Sequence, residues 1–399
     1  MIRRLPPISL LLIIVGALAA GPAAPRSQLL TILRADAWHR AGFRGHGVKV
    51  AVLDTGFRGY ADSQGSTLPR GIHAKSFRFD GNMEARKSQH GVLCGEIVHA
   101  IAPDAELLFV NWQPDVPESF VAAINWAKQQ GARIVTCSVV MPAWSDGEGG
   151  GRIHRAINEL VDDDMLCVAC AGNLAKRHWS GRFRPDADGW HRWPDGSIDN
   201  EVTPWGDDVV SLELSATNGS FEVLTFDEGG KPVGRSGMKD SDCGTAVRFT
   251  PRFKAKYSVR VRSTTGGSFH LCALGSWLGQ YRERGSITFP GDGAAWLTLG
   301  AWEKGHRADY SSCGPNSLTQ KPDLVAPVPF VSRERQQPFG GTSAAAPQAA
   351  GLAAVYWSRH PNATASEVKA ALRQAAEDVG DPGIDYESGW GLLRLPSLR

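Results

Sequence analysis

Four side chains in this sequence have the types and settings that acyl transfer requires. Asp54 closes the apolar run 48–53 and is followed by Thr55-Gly56. It reads as a carboxylate held at the end of a strand, where open α/β sheets bind their ligands. His90 opens a helical period in Gln89-His90-Gly91. An imidazole there can take a proton from a hydroxyl while its other nitrogen donates to a carboxylate. Ser343 lies in Gly340-Gly341-Thr342-Ser343-Ala344-Ala345-Ala346-Pro347, at the start of another helix. The glycines let a substrate backbone approach, and a helix N-terminus favours negative charge. Pro347 is expected in the first turn, where no intrahelical N–H bond is lost. Asn173 follows a strand in Ala171-Gly172-Asn173, and its side-chain amide can face a developing oxyanion. Each residue alone has a commonplace reading: a turn carboxylate, one of eleven histidines, a helix N-cap. Together they supply a nucleophile, a base, an acid that orients the base, and an oxyanion donor.

The elements needed to hold them can be read from hydrophobic periodicity. Segments 48–53, 106–111, 132–140 and 165–171 are apolar strand-like runs, and 91–100, 119–130 and 153–161 carry helical spacing. Alternation of this kind predicts a three-layer α/β domain, a parallel sheet with helices on both faces. From 176 to 287 the texture changes to Gly- and Trp-rich chain with short alternating runs at 209–216, 221–226, 246–249, 257–263 and 268–274. That pattern predicts an all-β sandwich inserted into a loop of the first domain. Helical spacing returns at 343–359 and 365–377.

Composition narrows the function. With 43 basic and 41 acidic side chains mixed along 399 residues, the chain lacks the concentrated basic face that a nucleic-acid partner requires. At the N-terminus, Arg3-Arg4, an apolar run over 8–20 and Ala17-Leu18-Ala19 have the layout of a secretory signal peptide, assigned to residues 1–20. The run falls short of the roughly 20 residues of a membrane span. The expected location is therefore extracellular or periplasmic, with no stable span after cleavage. The odd count of seven cysteines suits neither a disulfide framework nor a zinc site. Cys243 and Cys272, both in the β-rich stretch, are the most plausible bridge. Cys167-Val168-Ala169-Cys170 lies along an apparent buried strand and reads as packing rather than redox chemistry. Asp162-Asp163-Asp164 reads as a solvated helix end, and no metal or other cofactor is expected.

The blocks Val50-Ala51-Val52-Leu53-Asp54-Thr55-Gly56, His90-Gly91, Ala171-Gly172-Asn173 and Gly341-Thr342-Ser343-Ala344-Ala345-Ala346-Pro347 together resemble the subtilisin-like serine proteases. The order Asp, His, Ser is that family's order. Supporting likenesses lie at 41–48, 101–105, 310–315, 321–327 and 389–391, and the resemblance covers roughly 28–175 and 288–394. It implies a secreted endopeptidase acting on proteins or peptides. Ser343 would be the nucleophile and His90 the general base; Asp54 would orient the imidazolium. Asn173 and the Ser343 backbone N–H would hold the oxyanion. Substrate would lie along Ser138-Val139-Val140 and beside Gly341. Two departures stand out. Val92 replaces the usual threonine after His-Gly, and Val140-Met141 replaces a pair of glycines, which is expected to narrow the primary pocket. The helix after His90 runs into Ile101-Ala102-Pro103 without the inserted loop that holds calcium in many relatives. About 25 residues separate the signal peptide from the first core strand, too few for the folding prodomain of many relatives, so unaided folding or help from the insert or another protein is expected. The insert loosely resembles jelly-roll modules of secreted proteases around 253–261, and reads first as a stabilising appendage, with substrate or surface recognition as the alternative role. Esterase or transpeptidase chemistry on the same triad, and a binding protein with a blocked pocket, stay open at this point.

Overall fold

The computed structural model describes residues 25–85, 88–238, 244–316 and 318–398; the segment 1–20 assigned to a signal peptide lies outside them. Two short helices, α1 (Arg26–Ile32) and α2 (Ala35–Arg40), precede the central strand β1 (Lys49–Leu53). The chain continues through α3 (Tyr60–Ser63), β2 (His73–Phe77), α4 (His90–Ile101), β3 (Glu106–Trp112), α5 (Pro117–Gln129), β4 (Ile134–Cys137), α6 (Arg152–Leu160) and β5 (Leu166–Cys170). Adjacent strands from β2 to β5 pair in parallel, in the order β2-β3-β1-β4-β5. Every residue of β1 after Lys49 is buried, as a strand covered on both faces demands.

Period-two geometry sorts those residues between two cores. Val50 and Val52 join one apolar cluster with α4 and the later central helix, while Ala51 and Leu53 join a second cluster with α5 and α6. This is the expected three-layer arrangement. The same geometry decides the CxxC segment: Cys167 faces one core and Cys170 the other, so the two thiols point apart. Burial pushes both thiols up to about 12, and they stay protonated. Six cysteines are free and buried among the described residues, Cys272 included; Cys243 lies outside them.

Nine antiparallel strands follow: β6 (His178–Arg182), β7 (Asn200–Pro204), β8 (Val210–Ser215), β9 (Phe221–Asp227), β10 (Pro232–Gly237), β11 (Thr245–Phe249), β12 (Tyr257–Ser263), β13 (Ser268–Leu274) and β14 (Ser276–Leu278). They form a five-stranded sheet, β10-β9-β12-β7-β14, and a four-stranded sheet, β11-β8-β13-β6. One core serves both sheets, with Leu212, Phe269 and Leu271 on one side and Val223, Val259 and Val261 on the other. The chain then returns to the first sheet in β15 (Trp296–Glu303), β16 (His306–Arg307) and β17 (Leu324–Pro327). β15 lies parallel to β5 and β17, and only β16 is antiparallel. The central helix α7 (Thr342–Arg359) and α8 (Ala365–Ala375) close the fold. α8 starts in a capping box between Thr364 and Glu367 and ends at Ala375, short of the expected 377.

The antiparallel sheets grip the segment that follows β4. Glu213 in β8 accepts the Ala143 backbone N–H at 3.0 Å, and Gly244 N–H donates to the Ala143 carbonyl at 2.9 Å. Arg248 in β11 bridges Glu213 and Asp115, and His270 in β13 meets Glu148 at 2.9 Å.

Candidate active site

From β3 to β4 the chain steps across β1, so the strand order reverses there, and a crevice opens at the carboxyl ends of these strands. Asp54 follows β1, Ser138 follows β4 and Asn173 lies three residues beyond β5, so three sequence-predicted residues share one sheet edge. Asp54 is fully buried. Its Oδ1 accepts the Thr55 and Gly56 backbone N–H groups at 2.7 and 3.2 Å, and its Oδ2 lies 2.5 Å from His90 Nδ1. That contact occupies one imidazole nitrogen and leaves Nε2 for a substrate-side partner. Close approach depends on Gly91: a Cβ there would stand 2.8 Å from Asp54 Cβ and 2.4 Å from the Phe57 ring. The His-Gly pair is therefore a packing requirement of the Asp–His contact. Burial opposes the imidazolium, but the Asp54 carboxylate outweighs it and holds His90 well above the ordinary histidine value. The Phe339 ring meets the imidazole edge-on, 5.4 Å between centroids.

Ser343 occupies the second position of α7, where the backbone amide has no partner within the helix. Its hydroxyl donates to the Ser138 carbonyl at 3.3 Å; among the described residues it makes no hydrogen bond to His90. One side chain touches both residues: Cys94 Sγ lies 4.0 Å from His90 Nδ1 and 3.7 Å from the Ser343 carbonyl. Burial raises the Cys94 thiol above its ordinary value, so it stays a thiol and can donate.

Pro347 differs from expectation. It lies inside α7 as the sixth residue of the helix, beyond the first turn, where its missing N–H deprives the Ser343 carbonyl of a helical partner. That carbonyl instead accepts the Ser138 hydroxyl at 3.1 Å and the Cys94 thiol. Ser138 thus holds Ser343 at both its backbone and its side chain.

The Asn173 amide is oriented from the same helix. Its Oδ1 accepts the Thr342 backbone N–H and hydroxyl, each at 3.0 Å, which assigns Nδ2 to the remaining side as a donor. Thr342 Oγ1 in turn accepts the Gly172 N–H at 3.2 Å. Gly341 has φ +78°, and a Cβ on it would lie 2.9 Å from Asn173 Nδ2. A side chain there would crowd the amide and demand a backbone conformation that other residues adopt at a cost.

The predicted substrate residues lie around this crevice. Ser138 is buried and Val139 half-buried. Val140 packs into the cluster shared with Leu174, and Met141 packs with Trp144 and Phe289 in the other. Sequence reasoning missed Thr342, Cys94 and the double role of Ser138. Two of the three were in view, since Thr342 adjoins Ser343 and Cys94 is one helical turn after His90. No helix among the described residues is long and apolar enough to cross a membrane.

Comparison with known proteins agrees with this geometry. A profile of the Subtilase family matches residues 45–194 and 230–391. A subtilisin of Bacillus sp. (strain TA39) is 24% identical over 374 residues, covering 88% of this chain and 68% of that protein. An extracellular serine protease of Serratia marcescens is 31% identical over 113 residues, 25% of this chain and 11% of its own length. Among solved structures, the Clostridium perfringens CspB protease aligns with a TM-score of 0.66 at 15% identity, covering 92% of this chain and 97% of that one, a likeness of fold. The chain belongs to the subtilase family of serine endopeptidases.

Proposed function

We propose that Asp54, His90 and Ser343 form the catalytic triad of a secreted endopeptidase, with Asn173 as its side-chain oxyanion donor. The observation that carries this reading is the 2.5 Å Asp54–His90 contact at the strand edge where α7 presents Ser343. In catalysis the Ser343 hydroxyl turns from the Ser138 carbonyl to His90 Nε2, gives up its proton and attacks the scissile carbonyl carbon. The carbonyl oxygen takes the negative charge and is met by Asn173 Nδ2 and the Ser343 N–H. His90 passes its proton to the departing amine, leaving an acyl-Ser343. Water, deprotonated by the same imidazole, then releases the acid and restores the serine. Asp54 holds the imidazole in the tautomer that presents Nε2 and stabilises its charged form. Ser138-Val139-Val140 and Gly341 flank the substrate chain.

Residues 176–287 act as a separate inserted domain, supported by their two-sheet core and by their position between β5 and β15. Secretion is supported by the N-terminal layout and by extracellular relatives. A serine-directed fluorophosphonate tests the reading. The wild type should take the label and cleave casein, and Ser343→Ala should do neither. A folded wild type that takes no label ends the proposal.

A further inference from the structure

On the antiparallel sheets a cleft of about 100 Å³ opens beside β6, rimmed by Arg182, Arg184, Arg192 and Arg282 and floored by Trp179 and His191. All four arginines are exposed, and among the described residues none of them forms an ion pair. Other arginines in the same sheets behave differently: Arg235 and Arg262 pair with Glu222, Arg260 with Asp199, and Arg248 with Glu213. Of the acids flanking these residues in sequence, exposed Asp188 forms no ion pair with the four arginines among the described residues, and three others are engaged elsewhere. Asp186 accepts backbone amides of its own turn, Asp195 accepts Gln280, and Glu283 pairs with Arg307.

The cationic rim is built by backbone pairing. Arg192 N–H donates to the Arg184 carbonyl at 2.8 Å, and Arg282 N–H donates to the His178 carbonyl at 2.6 Å. The Arg282 guanidinium lies 5.7 Å from the Trp179 ring centre. Beneath the rim the Trp179 and His191 side chains offer no free acceptor. The Arg184 N–H occupies His191 Nδ1 at 3.1 Å, and the buried His191 Nε2 and Trp179 Nε1 have no partner. Burial first, and then Arg184, pull His191 down to about 4, so it stays neutral and the charge comes from guanidinium groups that do not titrate near neutrality. A donor-rich, acceptor-poor cleft of this size suits one carboxylate, a group that only accepts and pairs with guanidinium in a fork.

We propose that this cleft binds an acidic segment of a polypeptide, one Asp or Glu side chain at a time, and serves as a docking site for the protein substrate. The substrate role rests on the endopeptidase reading; the binding does not. Trp179 lies six residues beyond Asn173, which places the cleft floor within about 20 Å of the oxyanion side chain.

Two measurements separate these claims. Fluorescence anisotropy of a labelled glutamate-rich peptide is followed on the Ser343→Ala protein and on the same protein carrying Arg182→Gln and Arg192→Gln. The parent should bind with an affinity that falls with salt, and the doubly substituted protein should bind at least tenfold more weakly. In the active enzyme the same two changes should lower kcat/KM for a peptide with acidic flanks about tenfold and leave a neutral-flanked peptide unchanged. Equal peptide affinities in the two proteins overturn the proposal. So does displacement of a bound dye by inorganic phosphate with no binding of the peptide, which would mark a small-anion site. Peptide binding that persists in a protein refusing the serine label upholds the cleft and removes only its link to catalysis.

Discussion

Two Asp/His/Ser sets among the described residues differ in how their contacts are arranged, and only the first has the arrangement that the proposed mechanism needs. In the first, Asp54 contacts His90, His90 keeps Nε2 uncommitted, and the imidazole side chain is 26% exposed. In the second, Asp292 takes both partners: His154 Nε2 at 2.8 Å on one oxygen and the Ser145 hydroxyl at 2.7 Å on the other. Its serine bonds the carboxylate rather than facing the imidazole, and all three side chains are sealed from solvent. Asp292 also accepts the Gly149 N–H at 3.2 Å, so this set ties down the segment leading into α6. The difference teaches that residue types do not make a triad. The order of contacts and access to solvent do.

Several substitutions would break or sharpen that contrast. The largest effect is expected from the two serines: Ser343→Ala should lower kcat by about 10⁶-fold, while Ser145→Ala should leave kcat within a few-fold, as steady-state peptide hydrolysis would read. Comparable losses from both would erase the distinction. Next, Asp54→Asn should cost about 10⁴-fold in kcat, because the imidazole loses its preferred tautomer. The same change bears on pH. His90 is raised above its ordinary 6.5, and the base must be neutral to act, so the acid limb of kcat/KM should lie above pH 6.5 in the wild type and move down in the variant. The sign for stability is opposite: the charged His90–Asp54 pair contributes fully below pH 6.5 and fades as pH rises through the folded value. A wild-type limb below 6.5 would contradict the geometry. Third, Asn173→Ala should lower kcat about 100- to 1000-fold and lower the melting temperature modestly without unfolding the protein, because the Thr342 N–H and hydroxyl lose their acceptor. Last, Asp292→Ala should act on stability instead, costing about 1–3 kcal/mol for each buried donor left without its acceptor in urea unfolding, while Ser343 still takes a serine-directed label.

Much of the architecture was legible. The strands at 257–263 and 268–274 match expectation residue for residue, because both carry an apolar pattern: the first alternates buried and half-buried positions, and the second is buried at every position after Ser268. The edge strand β10, Pro-Val-Gly-Arg-Ser-Gly, escaped notice for the converse reason: it has no buried residue and hence no apolar pattern to read. β6 and β14 are short and mix His, Trp and Ser. Pro347 was misplaced by a few positions because a proline's local preference is silent on whether a freed carbonyl finds other donors. Here Ser138 and Cys94 supply them from elements more than 200 residues away in sequence.

By itself the sequence determined the order of the reactive residues, the strand or helix each one ends or begins, and the glycines that permit close approach, since all of these follow from local sterics and periodicity. It singled out Asp54, His90 and Ser343 by their flanking motifs, but it did not show that His90 would carry one carboxylate contact with Nε2 open, or that Asp292 would gather both His154 and Ser145. Only the tertiary structure decided that, because whether a carboxylate meets one partner or two, and whether water reaches the imidazole, depends on segments joined across the sheet rather than along the chain.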